Sequence, residues 1–181
     1  MQTVIEPTTG TWALDPTHTE INVIARHLIA AKVRGTFKSF QGTISMGDSP
    51  ENSSVEVTVD AASIDTGVGD RDAHLRSPDF LDVEQFTTLE FRSTSVTPAG
   101  KDRYKLVGDL TIKGITNPIE MDLEYGGITT DPWGNQKAIF SATGGIEREL
   151  WGLTWNVALE SGGFLVGKTF KFEIEAQAAA V

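Results

Sequence analysis

The segment "KTFKFEIEAQA", residues 168–178, alternates between apolar and polar side chains over most of its length. Phe170, Phe172 and Ile174 fall on one face, while lysine and glutamate side chains fall on the other. Successive side chains of a β-strand point to opposite sides of a sheet, so this pattern predicts a strand with one buried face. It is the clearest pattern of its kind in the chain.

The same alternation recurs elsewhere, with turns rich in Gly, Pro, Asn and Asp between the alternating segments. About eight strands are predicted, and because most turns are short, neighbouring strands should pair antiparallel as a meander. Such strands can close into a barrel or stack as a sandwich, and periodicity alone does not decide. The clearest further strands are "EINVIARH" (20–27), "SVEVTVD" (54–60), "TLEFRSTSV" (88–96), "RYKLVGDLTIKG" (103–114) and "PIEMDLEYG" (118–126).

Two glycines, Gly108 and Gly144, fall on the apolar face of their strands. A glycine at such a position leaves space that a cavity would use, but it also lets a curved strand bend. Both explanations stay open at the level of the sequence.

One longer connection, residues 60–87, interrupts the meander and contains "GDRDAHLRSPDFLD", residues 69–82. A short helix is predicted near residues 69–78. As an active site, this segment would offer His74 as a base and an arginine as an anion clamp, yet no nucleophile or oxyanion hole accompanies them. We therefore favour a polar cap over the open end of the sheet.

In such a cap, Asp70 and Asp72 are expected to cap the helix, and Arg71 and Arg76 to pair with carboxylates. A cap can also give the polar end of a buried ligand its hydrogen bonds. The apolar side chains expected to cover the open end are Leu75, Phe80 and Leu81.

Length and composition exclude several classes of protein. The 181 residues are expected to form one domain, residues 1–181. The formal net charge of -10 repels phosphate backbones, so no nucleic-acid partner is expected. The absence of cysteine excludes disulfides and thiolate metal sites. No apolar run approaches the ~20 residues that cross a bilayer.

The three histidines are His18, His27 and His74, and no pair has the spacing that would preorganise a metal site. His27 is predicted to be an interior histidine with a hydrogen-bond partner. No metal site and no catalytic residue is predicted.

Six segments match, in order, a pattern found in one protein family. They are "WALDPTHTEINVIARH" (12–27), "GTFKSFQGTI" (35–44), "SIDTGVGDRDAHLRSPDFLDVEQFTTLEF" (63–91), "GDLTIKGIT" (108–116), "FSATGGIERELWGLTWN" (140–156) and "VGKTFKFEIEAQA" (166–178). Together they resemble the YceI-like family of polyisoprenoid-binding proteins. The resemblance implies an eight-stranded antiparallel lipocalin-like barrel without enzymatic activity or cofactor. It also implies one long apolar ligand inside, an isoprenoid or isoprenoid quinone in some members and a fatty acid or amide in others.

The motif positions and the strand alternation together suggest which side chains contact the ligand. Polar contacts are expected at the mouth of the barrel, and apolar contacts along the tube. The expected ligand-binding residues are Phe37, Arg71, His74, Leu75, Phe80, Phe91, Phe140, Ile146, Trp151, Trp155 and Phe172.

The first residues, "MQTVIEPTTGTW", lack the basic and apolar regions of a secretion signal. Many members of the family that this chain resembles are periplasmic or secreted, so the chain departs from them. We expect a cytoplasmic protein that stores or transports its ligand. Transient membrane contact and a homodimer are both compatible with the resemblance.

Two rival hypotheses stand beside a binding protein. One is a lipid-modifying enzyme that acts through His74 or His27. The other is a structural interaction module whose interior is filled by side chains and whose partner pairs with a sheet edge. An internal cavity would separate the binding protein from the filled module.

Overall fold

The computed structural model describes residues 9–181. Residues 1–8, which contribute to the expected cytoplasmic location, lie outside the described part of the chain. The strands are β1 (Gly10–Leu14), β2 (Glu20–His27), β3 (Ala31–Phe37), β4 (Phe40–Met46), β5 (Ser54–Asp60), β6 (Ile64–Asp65), β7 (Thr88–Gly100), β8 (Arg103–Ile112), β9 (Ile115–Thr130), β10 (Gln136–Glu147) and β11 (Val166–Ala180). The α-helix is α1 (Gly69–Arg76).

Within residues 9–181, the strand segments form one antiparallel sheet that closes on itself. The closed ring runs β1-β4-β5-β7-β8-β9-β10-β11 and returns from β11 to β1. The remaining segments extend ring strands: β2 follows β1 along β11, β3 pairs with β2, and β6 pairs with β3. The predicted eight-stranded antiparallel barrel is therefore confirmed, and the sandwich is excluded.

The connection between β1 and β2 is stabilised by Asp15. Its carboxylate accepts hydrogen bonds from the backbone and hydroxyl of Thr17, at 3.0 and 2.7 Å. It also lies 2.9 Å from Lys137 Nζ on β10 and 2.9 Å from His18 Nδ1. The bond from Lys137, followed by those from Thr17, holds the pKa of Asp15 well below its usual range. These bonds link the end of β1 to β10, across the intervening strand β11.

The apolar face of each alternating segment points into the barrel, as the alternation predicts. Charged side chains of the other parity form ion pairs on the outside, for example Lys105 with Asp122 at 2.7 Å. The inward residues include Ile21, Val23, Val55, Val57, Val59, Leu89, Phe91, Leu106, Leu110, Ile119, Met121, Leu123, Phe170, Phe172 and Ile174.

The predicted helix near residues 69–78 is present as the eight-residue α1. It ends before Ser77 and Pro78, because the residue that precedes a proline disfavours helical backbone.

The two ends of the barrel differ in the connections that they carry. The helix end carries α1, the turns 28–30 and 113–114, and the connection 148–165, whereas the opposite end carries the turns 47–53 and 131–135. Within residues 9–181, no helix has the length and apolar character needed to span a membrane.

The two inward glycines make room for phenylalanine rings rather than for a ligand. Gly144 pairs directly with Phe172 across the strands, and a Cβ at Gly144 would lie 2.5 Å from Cζ of that ring. A Cβ at Gly108 would collide in the same way with the ring of Phe91. Each glycine thus leaves the space that an aromatic ring of the neighbouring strand occupies.

We expect Gly144→Ala to lower the free energy of unfolding by about 1–3 kcal/mol, because the added methyl group displaces the Phe172 ring. The matched control is Gly145→Ala, since Gly145 points outward and a Cβ there would meet its nearest neighbours only at 3.5 Å. Urea denaturation of both variants measures the difference. Equal free energies of unfolding in the two variants would contradict this account of the wall.

Candidate ligand-binding cavity

The barrel encloses a cavity of about 560 Å³, within the range of roughly 300–1,000 Å³ that is typical of small-molecule sites. It extends from the helix end to the turn 47–53 at the opposite end. Aliphatic and phenylalanine side chains line its middle, and polar side chains line it only towards the two ends. The interior is therefore not filled by side chains. The hypothesis of a structural module with a filled interior is not supported.

Ten of the eleven predicted ligand-binding residues line this cavity. Those at the helix end come from α1 and the two long connections, and the others come from the strands. The ten residues are Phe37, Arg71, His74, Leu75, Phe80, Phe91, Phe140, Ile146, Trp155 and Phe172.

Trp151 was expected to line the cavity, and this expectation is wrong. Its side chain is 2% exposed and packs among the buried side chains of the wall, where the indole Nε1 donates to the carbonyl of Leu110 at 2.9 Å. Trp151 lies in the short 3-10 turn 148–151 after β10, and strand alternation does not predict side-chain direction in such a turn. It fixes this turn to β8 instead.

The mouth at the helix end is held together by Thr66, Arg71 and Asp72. One carboxylate oxygen of the buried Asp72 accepts hydrogen bonds from the backbone and hydroxyl of Thr66, at 2.8 and 2.6 Å. The guanidinium of Arg71 donates to the same hydroxyl and to the carbonyl of Thr66, at 2.7 and 2.8 Å. These bonds fix the first turn of α1 to the chain that leaves β6.

The expected roles of the charged residues in α1 were wrong in detail. Arg71 and Arg76 bind backbone carbonyls rather than carboxylates in the described chain, and Arg76 reaches those of Ala62 and Ile64 at 2.9 and 3.2 Å. The N-cap of α1 is Val68, without a side-chain cap. These carbonyls lie in and beside the two-residue strand β6, and the arginines give them hydrogen-bond partners.

An aromatic cluster of His74, Phe80 and Trp155 also lies at the helix end. The ring of His74 packs edge-on against Trp155 and Phe80, with centroids 4.5 and 5.1 Å apart. Its Nε2 lies 2.9 Å from a carboxylate oxygen of Asp79. Asp79 thus orients the imidazole, while the two rings turn an apolar surface towards the cavity.

His27 also lines the cavity, at the end of β2. It is half-buried, and its ring forms no hydrogen bond with any residue in 9–181. The expectation of a hydrogen-bonded interior histidine is therefore wrong, because the strand ends at His27 and leaves the ring at the mouth. Together with Arg26, Arg71 and His74, it lines the mouth with side chains that can donate hydrogen bonds.

Arg148 is a structural residue that the sequence interpretation missed. It is fully buried and donates to the carbonyls of Gly167, Leu153 and Trp155 at 2.8, 2.5 and 3.0 Å. Desolvation by burial lowers its pKa from the usual value. Arg148 continues the inward parity of Ile146, so an arginine at an inward position was the available signal. It holds the connection that carries Trp155 at the mouth.

A separate buried cluster occupies the opposite end. Trp12 is 1% exposed there and packs with Met46, Ala138 and Ala178. The tyrosines Tyr104 and Tyr125 line the cavity at this end, and Tyr125 packs against the cluster. The described residues include no group of three His, Asp or Glu side chains placed to bind a metal ion.

A closed eight-stranded antiparallel barrel around an apolar cavity defines a lipocalin-like barrel protein. The YceI-like domain model matches residues 12–178, so this chain belongs to the YceI-like family, as its motifs indicate. A UPF0312 protein of Staphylococcus aureus (strain bovine RF122 / ET3-1) is 38% identical over 169 residues, which cover 92% of this chain and 95% of that protein.

Solved structures show the same fold. A Campylobacter jejuni YceI protein is 28% identical, with a TM-score of 0.72 over 86% of this chain and 90% of its own. BcnA of Burkholderia cenocepacia is 19% identical, with a TM-score of 0.73 over 93% and 99% of the two chains. A polyisoprenoid-binding domain from Saccharophagus degradans is 13% identical, with a TM-score of 0.73 over 96% and 100%. The last two show the fold alone.

We expect Thr66→Val to loosen α1, because it removes the hydroxyl that donates to Asp72 and accepts from Arg71. The loss of this bond to a buried carboxylate should cost about 1–3 kcal/mol of stability, and amide hydrogen exchange in α1 should accelerate more than in the strands. Thr66→Ser keeps the hydroxyl and is the matched control. Equal exchange rates in the two variants would show that this hydroxyl does not hold the mouth.

Proposed function

We propose that this protein binds one long-chain apolar molecule inside the barrel, a polyisoprenoid or an isoprenoid quinone, and stores or transports it without chemical change. The observation that carries the proposal is the cavity of about 560 Å³, which is apolar along its middle and polar only towards its ends. A site of this kind suits a molecule with a long apolar tail and a small polar head.

The energetics favour a long tail. Each methylene group transferred from water into an apolar site contributes about 0.8 kcal/mol. A chain of about fifteen or more carbons therefore binds tightly even after the entropic cost of association is subtracted. The tail would supply the affinity, and few polar contacts are needed.

The mouth at the helix end is the proposed seat of the polar head. Two nitrogens of the Arg71 guanidinium bind Thr66, whereas Nη1 forms no hydrogen bond with residues 9–181 and is available to an acceptor. His27 and His74 line the same mouth. These side chains match a quinone carbonyl, a carboxylate or a phosphate, all of which accept hydrogen bonds.

Two lines of support come from outside the cavity. The chain belongs to the YceI-like family, and one structural neighbour is described as a polyisoprenoid-binding domain. A fatty acid or amide fits the same description of an apolar tail with a small polar head, and it is the alternative ligand class. Competition between the two classes distinguishes them.

One contact favours a second candidate function, a lipid-modifying enzyme. His74 is oriented by Asp79 at 2.9 Å and lines the cavity, as a general base would. Among residues 9–181, however, no serine or threonine hydroxyl is hydrogen-bonded to the ring of His74 or His27, so neither histidine belongs to a Ser–His type of nucleophilic site. We therefore propose binding rather than catalysis.

We expect Ala142→Phe to weaken ligand binding, because Ala142 lines the cavity and a larger side chain takes up space that the tail needs. The probe is a fluorescent polyene fatty acid, displaced by geranylgeraniol or by an isoprenoid quinone. The dissociation constants should rise by at least about ten-fold.

The matched control is Thr143→Phe, since Thr143 is the next residue of β10 and points outward. Its dissociation constants should stay within about two-fold of those of the unmodified chain, because a single exposed substitution changes little. If Ala142→Phe fails to fold, Val57→Phe repeats the test at another lining position. Unchanged affinity in a folded lining variant would contradict binding inside the barrel, and displacement by fatty acids alone would favour the alternative ligand class.

A further inference from the structure

Exposed apolar side chains concentrate at the helix end of the barrel. Of the nine large hydrophobic side chains exposed among residues 9–181, seven lie at this end. The other two are Trp133, in the turn at the opposite end, and Val181. The seven are Leu28, Ile29, Val68, Ile115, Leu150, Val157 and Phe164.

Four of these residues, Leu28, Ile29, Val157 and Phe164, form one surface, here termed the rim patch. The backbone of Leu28 donates to the carbonyl of Leu165 at 2.8 Å, and Leu165 donates to the carbonyl of Val157 at 2.9 Å. A Cβ at Gly163, the residue before Phe164, would lie 3.4 Å from Cδ1 of Ile29. The turn 28–30 and the connection 148–165 are therefore adjacent, and Ile29 and Phe164 line the same external groove.

The rim patch includes an unfavourable turn. Leu28 and Ile29 have φ values of 51° and 70°, in the left-handed region that favours glycine and asparagine. A β-branched residue such as isoleucine is especially unsuited to this backbone. Both side chains are more than half exposed, at 53% and 62%, so no burial within the chain offsets the strain. Strained residues of this kind cluster at functional sites.

The rim patch is continuous with the mouth of the cavity. The cavity-lining residues His27 and Leu165 are the immediate chain neighbours of Leu28 and Phe164. A second, external groove of about 490 Å³ shares Arg26 and Val166 with the cavity. The rim patch therefore borders the mouth at the helix end.

Two cations lie in the external groove beside the rim patch. The external groove has Ile29 and Phe164 on its wall and includes two cations, Arg26 and Lys168, against one acid, Glu149. The chain as a whole carries a formal charge of -10, so attraction to an anionic surface does not bring it to a membrane. Insertion of apolar side chains, with nearby cations reaching phosphate groups, is the arrangement that holds proteins at a membrane interface.

We propose that the rim patch docks this protein on the surface of a lipid bilayer, with the mouth of the barrel facing the lipids. Leu28, Ile29 and Phe164 enter the boundary between headgroups and acyl chains, while Arg26 and Lys168 meet lipid phosphates. The purpose of the docking rests on the proposed function: an apolar ligand passes between bilayer and barrel without crossing water.

The test is co-sedimentation of the full chain with phosphatidylcholine vesicles at low and high salt. The unmodified chain should bind at both, because apolar insertion is not screened by salt whereas charge attraction is. The paired substitution Leu28→Asn with Ile29→Gly should reduce partitioning by at least about ten-fold, since it removes two inserting side chains. It should leave the melting temperature unchanged or raised, because these residues suit the backbone of the turn.

Trp133→Ser is the matched control. Trp133 is 83% exposed, which makes it an exposed aromatic residue of the opposite end, and its loss should leave vesicle binding unchanged. The proposal is overturned if the unmodified chain does not bind these vesicles, or if Trp133→Ser loses as much binding as the paired substitution. It is also overturned if light scattering shows that the paired substitution dissociates a dimer while vesicle binding persists, because a second copy then covers the rim patch.

A soluble fluorescent fatty acid separates docking from ligand binding. The paired substitution should bind this probe as tightly as the unmodified chain, since neither residue lines the cavity. Vesicle binding without probe binding in the unmodified chain would leave docking supported and contradict the proposed function. Probe binding without vesicle binding would overturn docking alone.

Discussion

Closure of the sheet through β11 is the constraint on which the rest of the structure depends. This strand pairs along one side with β10, from Thr169 to Ala179, and along the other with both β1 and β2. Closure removes the free edges of the sheet and directs every second side chain into one interior. The alternation of each strand therefore becomes the lining of a shared cavity.

The large aromatic side chains line the cavity or are buried outside its lining, and none fills its middle. Gly144 leaves space for the ring of Phe172 on the neighbouring strand, and Gly108 does the same for Phe91. Trp12 and Trp151 are buried in the end cluster and the wall, respectively, away from the cavity lining. The two ends then differ in chemistry: the helix end has histidines and arginines around the mouth, whereas the opposite end has tyrosines and the Trp12 cluster.

The strands and their inward faces could be predicted from the sequence, because an exact two-residue period is visible without knowledge of partners. This period placed Phe91 and Phe172 inside. The positions of side chains in the connections could not be predicted in the same way. Trp151 and Arg148 lie in a 3-10 turn, and Arg71 finds its partner in Thr66 through the fold of the connection. Such contacts depend on tertiary structure rather than on local periodicity.

The measurement that tests the central claim most directly is native mass spectrometry of the purified protein, together with mass spectrometry of its organic extract. We expect one long-chain apolar molecule per chain, released by the organic solvent and carrying a small polar head. A protein that is empty as purified and that also fails to bind added isoprenoid quinones, prenols and fatty acids would contradict the claim that the barrel is a lipid-binding site.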